Sequence, residues 1–121
     1  MVESPRISYT CSECGEEAAT VELGASVREI TVTFLGAVHF WVNEEAHRAV
    51  QQALAENNKA ELYWLLRRLD PERVSFHCPD CDRSYCQKHW NPQIQFDDEW
   101  SGWYDCTYGT CPKGHRRILD D

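Results

Sequence analysis

Three cysteines and one histidine fall between positions 78 and 89: Cys78, Cys81, Cys86 and His89. They form two pairs, each with two residues between its members. That spacing lets a tight backbone turn aim both side chains at one tetrahedral ion, and thiolate and imidazole are the donors that zinc prefers. One pair cannot complete a four-coordinate site. Further donors stand far off in the chain: Cys11 and Cys14 near the start, and Cys106, Cys111 and His115 near the end. Seven cysteines leave one over in any disulfide framework, so metal ligation in a reducing compartment is the better reading.

The donors can be grouped in two ways. Cys78, Cys81, Cys86 and His89 could share one ion, since only four residues separate the two pairs. Alternatively the pairs interleave. Cys11, Cys14, Cys86 and His89 then hold one zinc ion. Cys78 and Cys81 hold a second, with two of Cys106, Cys111 and His115. Interleaving is preferred because it employs the distant first pair and ties both ends of the chain to its middle. For the last pair, Cys111 and His115 are preferred: they stand one helical turn apart, and Pro112 suits a knuckle or a first helical turn. Cys106 remains an alternative ligand or a spare thiol; as a nucleophile it would need an activating base.

The intervening sequence must position these donors. A strand is expected over Arg6–Thr10, and Gly15 suits the positive φ that follows a cysteine turn. Residues 19–23 and 27–42, rich in Val, Ile, Thr, Phe and Trp, predict two or three antiparallel strands with a turn at Leu35-Gly36-Ala37. His39 is expected to pack or face solvent on a strand rather than ligate. Asn43 predicts a helix cap, followed by Glu44 and Glu45 in the first turn and an apolar stripe of Ala46, Ala49, Val50, Ala53 and Leu54. Asn57-Asn58 ends that helix. A second is predicted from Lys59 to Leu69, with Leu62, Leu65, Leu66 and Leu69 inward and Tyr63 and Trp64 beside them, until Asp70-Pro71 stops it. This block, about residues 19–75, supplies the hydrophobic mass that a bare metal module lacks. A short strand is expected over Glu72–His77, with the His77 ring turned away from the metal, and another over Gln93–Phe96. Trp100, Trp103, Tyr104 and Tyr108 either cover the metal sites or form an exposed patch.

At the ordered pairs Cys11/Cys14, Cys78/Cys81, Cys86/His89 and Cys111/His115 the chain resembles the RING-like, cross-brace treble-clef family. The segment Cys81 to His89, with Tyr85 before Cys86, is also similar to the small zinc fingers of stress-associated proteins. The ending Cys111-Pro112-Lys113-Gly114-His115-Arg116 looks like the RING ending, with Cys-Pro before the last ligand and a basic residue after it. The expected fold is α+β in one domain, residues 1–121: the resemblance implies a small zinc-stabilised cross-brace (treble-clef, RING-like) module in the ligand regions, and the antiparallel strand and two-helix block read from the residues is inserted into it. The resemblance implies two zinc ions per chain. It also implies a RING-like adaptor that positions a conjugating enzyme charged with a ubiquitin-like protein. That adaptor would have no nucleophile of its own. Arg116 would take the linking role between enzyme and carrier, with Trp90 and Pro112 on the partner-facing rim.

Composition narrows the alternatives. The 121 residues suit a single domain, and 42% hydrophobic content suffices for a core. A formal net charge of −8 argues against nucleic-acid binding, which relies on neutralising phosphates; the Lys113, Arg116, Arg117 cluster is small. No apolar run reaches spanning length and no leader pattern is seen, so a cytoplasmic protein without membrane contact is expected. The competing expectation is a zinc-stabilised protein-interaction module unrelated to conjugation, binding through the Trp100–Tyr108 aromatics or an acidic face. A hydrolytic zinc enzyme fits least, because it needs an open coordination position and a general base.

Overall fold

Strands β1 (Arg6–Thr10) and β2 (Glu17–Leu23) are the arms of a hairpin whose connection is the first cysteine pair. The computed structural model describes residues 5–96 and 104–120. β3 (Glu29–Thr33) and β4 (Ala37–Trp41) extend the hairpin into a four-stranded antiparallel meander, β1-β2-β3-β4. The first cysteine turn is thus part of this sheet, and the block over 19–75 is continuous with the strand that precedes Cys11 and Cys14 rather than a separate insertion.

Period-two patterning gives the sheet one apolar face: Ile7, Val21, Ile30 and Val32 are buried on it. Helix α1 (Glu44–Ala55) covers that face with Val50, Ala53 and Leu54. Its start is set by Asn43, whose Oδ1 accepts the Ala46 N–H at 2.8 Å. Helix α2 (Lys59–Leu69) is capped likewise by Asn58 and buries Leu62, Tyr63 and Leu66. Here the expected stripe shifts by one face: Tyr63 takes the inward position, Leu65 is only partly buried, and Leu69 is exposed. Tyr63 is drawn in by the second ligand region, where its ring packs on His77 at 4.3 Å between centroids.

The strand expected over Glu72–His77 does not form. Pro71 stops α2 but also begins a 3-10 turn, Pro71–Val74, with the Asp70 carboxylate accepting the Glu72 N–H at 3.1 Å. Proline fixes φ near the helical value and loses nothing at a first helical position. Only His77–Cys78 (β5) is extended, pairing with Arg83–Ser84 (β6). Helix α3 (Gln87–Trp90) follows, ended by Asn91 at φ 48°. β7 (Gln93–Phe96), β8 (Tyr104–Thr110) and β9 (Arg116–Asp120) make a three-stranded antiparallel sheet.

Two cores result. One lies between the meander and α1–α2. The other gathers Cys11, Cys78, Cys86 and Cys111 around Tyr85, Trp90 and Leu119. Phe34 packs against both. No described helix is long and apolar enough to cross a membrane.

Candidate metal centre

The fold brings eight donors into two groups. Cys11, Cys14, Cys86 and His89 form site 1, and Cys78, Cys81, Cys111 and His115 form site 2; within each, all ligand atoms lie within 4.8 Å of one another. The pairs interleave along the chain. Cys106 joins neither group: it is buried in β8, opposite Gln95 of β7.

Each pair is presented by a local turn. In the first, the Gly15 N–H returns to the Cys11 carbonyl at 2.9 Å, with Gly15 at φ 77°. A left-handed residue after the second cysteine closes the knuckle, and glycine adopts it without penalty. In the second knuckle the equivalent position is Asp82, at φ 53°. Its carboxylate stands 3.0 Å from His77 Nε2, while His77 Nδ1 faces Ser84 Oγ at 3.1 Å. Both His77 nitrogens are therefore engaged across the β5–β6 hairpin, away from the ligand sulfurs. The final turn repeats the logic, with Gly114 N–H donating to the Cys111 carbonyl at 2.9 Å. The Ser12 N–H donates to the Ser84 carbonyl at 2.9 Å, joining the first knuckle to the hairpin of the second.

The distances suit a tetrahedral ion. With bonds of about 2.3 Å to sulfur and about 2.0 Å to nitrogen, tetrahedral ligands stand about 3.8 Å apart for sulfur–sulfur and about 3.5 Å for sulfur–nitrogen. In site 2, Sγ–Sγ separations are 3.9 Å (Cys78–Cys111) and 3.7 Å (Cys81–Cys111). His115 Nδ1 lies 3.6, 3.3 and 3.3 Å from Cys78, Cys81 and Cys111. In site 1, Cys14 and Cys86 are 3.7 Å apart, and His89 Nδ1 lies 3.6 Å from Cys11 and 3.2 Å from Cys86. Four donors converge in each group, so an ion in either would have a closed, protein-only coordination shell.

Electrostatics prepares one thiol per site. Burial pushes Cys11 up, but hydrogen bonding from the backbone around Cys86, Cys14 and Glu13 outweighs it and brings the group down to about 6. Cys111 shows the same balance, with backbone groups at His115 and Lys113 bringing it down to about 7. Cys78 goes the other way: burial first, then the neighbouring Cys81 and Cys111 thiols, push it up to about 11. A cation entering site 2 must therefore expel protons as it binds.

The family described as a domain of unknown function, DUF8328, matches residues 2–121. The chain belongs to the DUF8328 family. No curated protein and no solved structure matches it. In this DUF8328 chain the two clusters together span most of the matched length, because site 1 joins residues 11 and 89 while site 2 joins 78 and 115.

The other residues singled out from sequence fall differently. Trp90 is fully buried, its ring edge-on to Tyr85 and its Nε1–H donated to the Phe76 carbonyl at 2.9 Å. It belongs to the core, not to a partner-facing rim. A side chain that follows a ligand histidine is steered by the turn after α3, and the left-handed Asn91 swings Trp90 inward. Pro112 and Arg116 are exposed, and the Arg116 guanidinium lies 4.1 Å from the centre of the Tyr108 ring. His39 faces Thr31 Oγ1 at 3.0 Å and Glu29 at 3.3 Å on β4, apart from both clusters. Tyr63 is core, whereas Trp64 is exposed under the Arg67 guanidinium. Trp100 and Trp103 lie outside the described residues. Sequence reasoning missed Tyr85 and Asp82 as supports of the sites; the signal for both was position, each directly flanking a ligand cysteine.

Proposed function

We propose that the chain is a zinc-stabilised protein-interaction module, with one zinc ion at each Cys3His group and no catalytic metal. The observation that carries this reading is the pair of complete, interleaved four-donor sets. A closed tetrahedral shell leaves no position for a substrate or an activated water, so the ions hold the fold rather than perform chemistry. Stabilising a short hairpin, a one-turn helix and a three-stranded sheet without a large core of their own is the work such ions do.

The partner surface in this reading is the open groove on the three-stranded sheet. It has a volume of about 590 Å³ and is lined by Ile94, Phe96, Tyr108 and Arg116 among others. Ile94 and Phe96 stay largely exposed on β7, an edge strand of its sheet. Apolar side chains beside a strand edge that pairs with no other described strand, together with a guanidinium, match the requirements of an extended peptide or loop. The partner is a protein; the charge of −8 disfavours nucleic acid.

A second reading makes that partner a conjugating enzyme charged with a ubiquitin-like protein. The observation in its favour is that Arg116, the basic residue after the last ligand, and Pro112 both face solvent beside site 2. RING proteins usually place an aliphatic side chain in the first knuckle, where this chain has Ser12 and Glu13, and the buried Trp90 offers no contact. The general interaction module is therefore the stronger conclusion. Discharge of a charged conjugating enzyme to free lysine separates the two. Under the adaptor reading, Arg116→Ala lowers stimulated discharge at least about tenfold, the loss of one charge-assisted hydrogen-bonding group, with metal content unchanged. Absence of any stimulation by the wild-type chain leaves the interaction module alone.

A further inference from the structure

Tyr85 is fully buried, and its hydroxyl makes no well-formed hydrogen bond among the described residues, although the Cys81 side chain stands close by. A buried phenol without an acceptor carries a desolvation cost, and native structures rarely leave one unpaired. The surroundings of this hydroxyl are unusual. Burial acts on it most strongly; next comes Cys81, by near hydrogen-bonding approach and by charge, then Cys111 and Cys78, and all three sulfurs belong to site 2 and pack in or against the same cluster as the Tyr85 ring.

The placement follows from chain geometry. Cys86 has extended backbone, and β6 ends at Ser84, so successive side chains through this stretch point to opposite sides. Cys86 goes to site 1; Tyr85, one residue earlier, goes to site 2. The Tyr85 N–H is pinned to the Phe76 carbonyl at 3.1 Å, and the Trp90 ring meets the phenol edge-on with centroids 5.9 Å apart. The ring has little room to turn the hydroxyl elsewhere.

We propose that Tyr85 is a positioning residue for the second metal site, its O–H donating to the thiolate of Cys81 when an ion is held there. The inference rests on the two-metal reading above. A neutral thiol is a poor acceptor, whereas a metal-bound thiolate is a charged one, so the hydroxyl gains its partner as the ion binds. Donation draws electron density from the Cys81 sulfur and makes it a weaker nucleophile. Cys81 is the least buried cysteine of site 2, so it is the sulfur that an electrophile or oxidant reaches first. In site 1 the exposed ligand is Cys14, and among the described residues no buried, unpartnered hydroxyl stands beside it. Site 2 is thereby the more inert of the two.

The test uses full-length protein loaded with Zn2+. Metal per chain is counted, the protein is treated with N-ethylmaleimide, and the modified cysteines are located by peptide mass spectrometry. In Tyr85→Phe, Cys81 is expected to react about tenfold faster relative to Cys14 than in wild type, the scale of one hydrogen bond to a charged acceptor. Two ions per chain are still held before reaction. An unchanged Cys81 rate at full metal content overturns the proposal and leaves the two-metal reading intact. A wild-type chain that holds no ion at Cys78, Cys81, Cys111 and His115 overturns both. Cadmium NMR on the wild type gives a measurement independent of the variant's folding. The site 2 metal is expected to correlate through sulfur with the Tyr85 hydroxyl proton, and a site 2 resonance without that correlation overturns the proposal.

Discussion

Cys78→Ser is expected to destabilise the chain more than any single substitution in its hydrophobic cores. Serine keeps the size of the side chain but is a poor ligand, so site 2 loses one of four donors and its ion. Structural zinc sites contribute on the order of 10 kcal/mol to folding in small domains at neutral pH, against about 2–5 kcal/mol for a large core truncation. The effect should be regional. The β8–β9 end is tied to the middle of the chain by Cys111 and His115 meeting Cys78 and Cys81. The meander and α1–α2 have an apolar core of their own, including Ile7, Val21, Ile30, Leu62 and Leu66. Hydrogen exchange on the variant should therefore show lost protection in β5, β6, β8 and β9, with α1 and α2 retaining much of theirs. Full protection of β8 and β9 in Cys78→Ser would contradict a metal-held cross-brace.

Trp90→Ala should be the most damaging substitution away from the ligands, costing about 3–5 kcal/mol in urea unfolding of the metal-loaded protein. Trp90 is fully buried against Tyr85, and the space around it is already shaped to the ring. A Cβ added at Gly109 would stand 3.1 Å from Trp90 Cε3 and still closer to Leu119. Truncation opens a cavity that the cysteine turns on either side, once held by an ion, would not collapse to fill. Trp90→Phe keeps an aromatic ring and should cost roughly 1–2 kcal/mol, from lost volume and the indole hydrogen bond. The Phe76 carbonyl that accepts that bond also accepts the Tyr85 N–H, so it is not left unpaired. A Trp90→Ala variant as stable as wild type would put the indole back on the surface, where the RING-like resemblance places it.

Trp90 and the ligand pairs mark where sequence is and is not informative. A ligand pair carries its geometry in its spacing, because two donors separated by two residues can meet one ion whatever surrounds them. The helix caps are similarly local: Asn43 and Asn58 each bond a backbone N–H three residues on. The direction of Trp90 depends instead on the left-handed turn at Asn91 and on a hollow made by Gly109 and Leu119 in a strand pair further along the chain. The same holds for Tyr63, drawn inward by His77, and for Pro71, whose restricted φ serves both to end α2 and to begin the 3-10 turn. Cys106 was undecidable from spacing because three donors competed for two places. Its strand position opposite Gln95 settles where it lies.

The most direct test of the account is the metal content of the purified chain and of one ligand variant from each site, by native mass spectrometry. Two zinc ions are expected for wild type, and one each for Cys86→Ser and Cys78→Ser, with the remaining ion held in the intact site. A wild-type chain carrying one ion or none, or a single substitution that leaves the count unchanged, would contradict the pairing of these eight residues into two zinc sites.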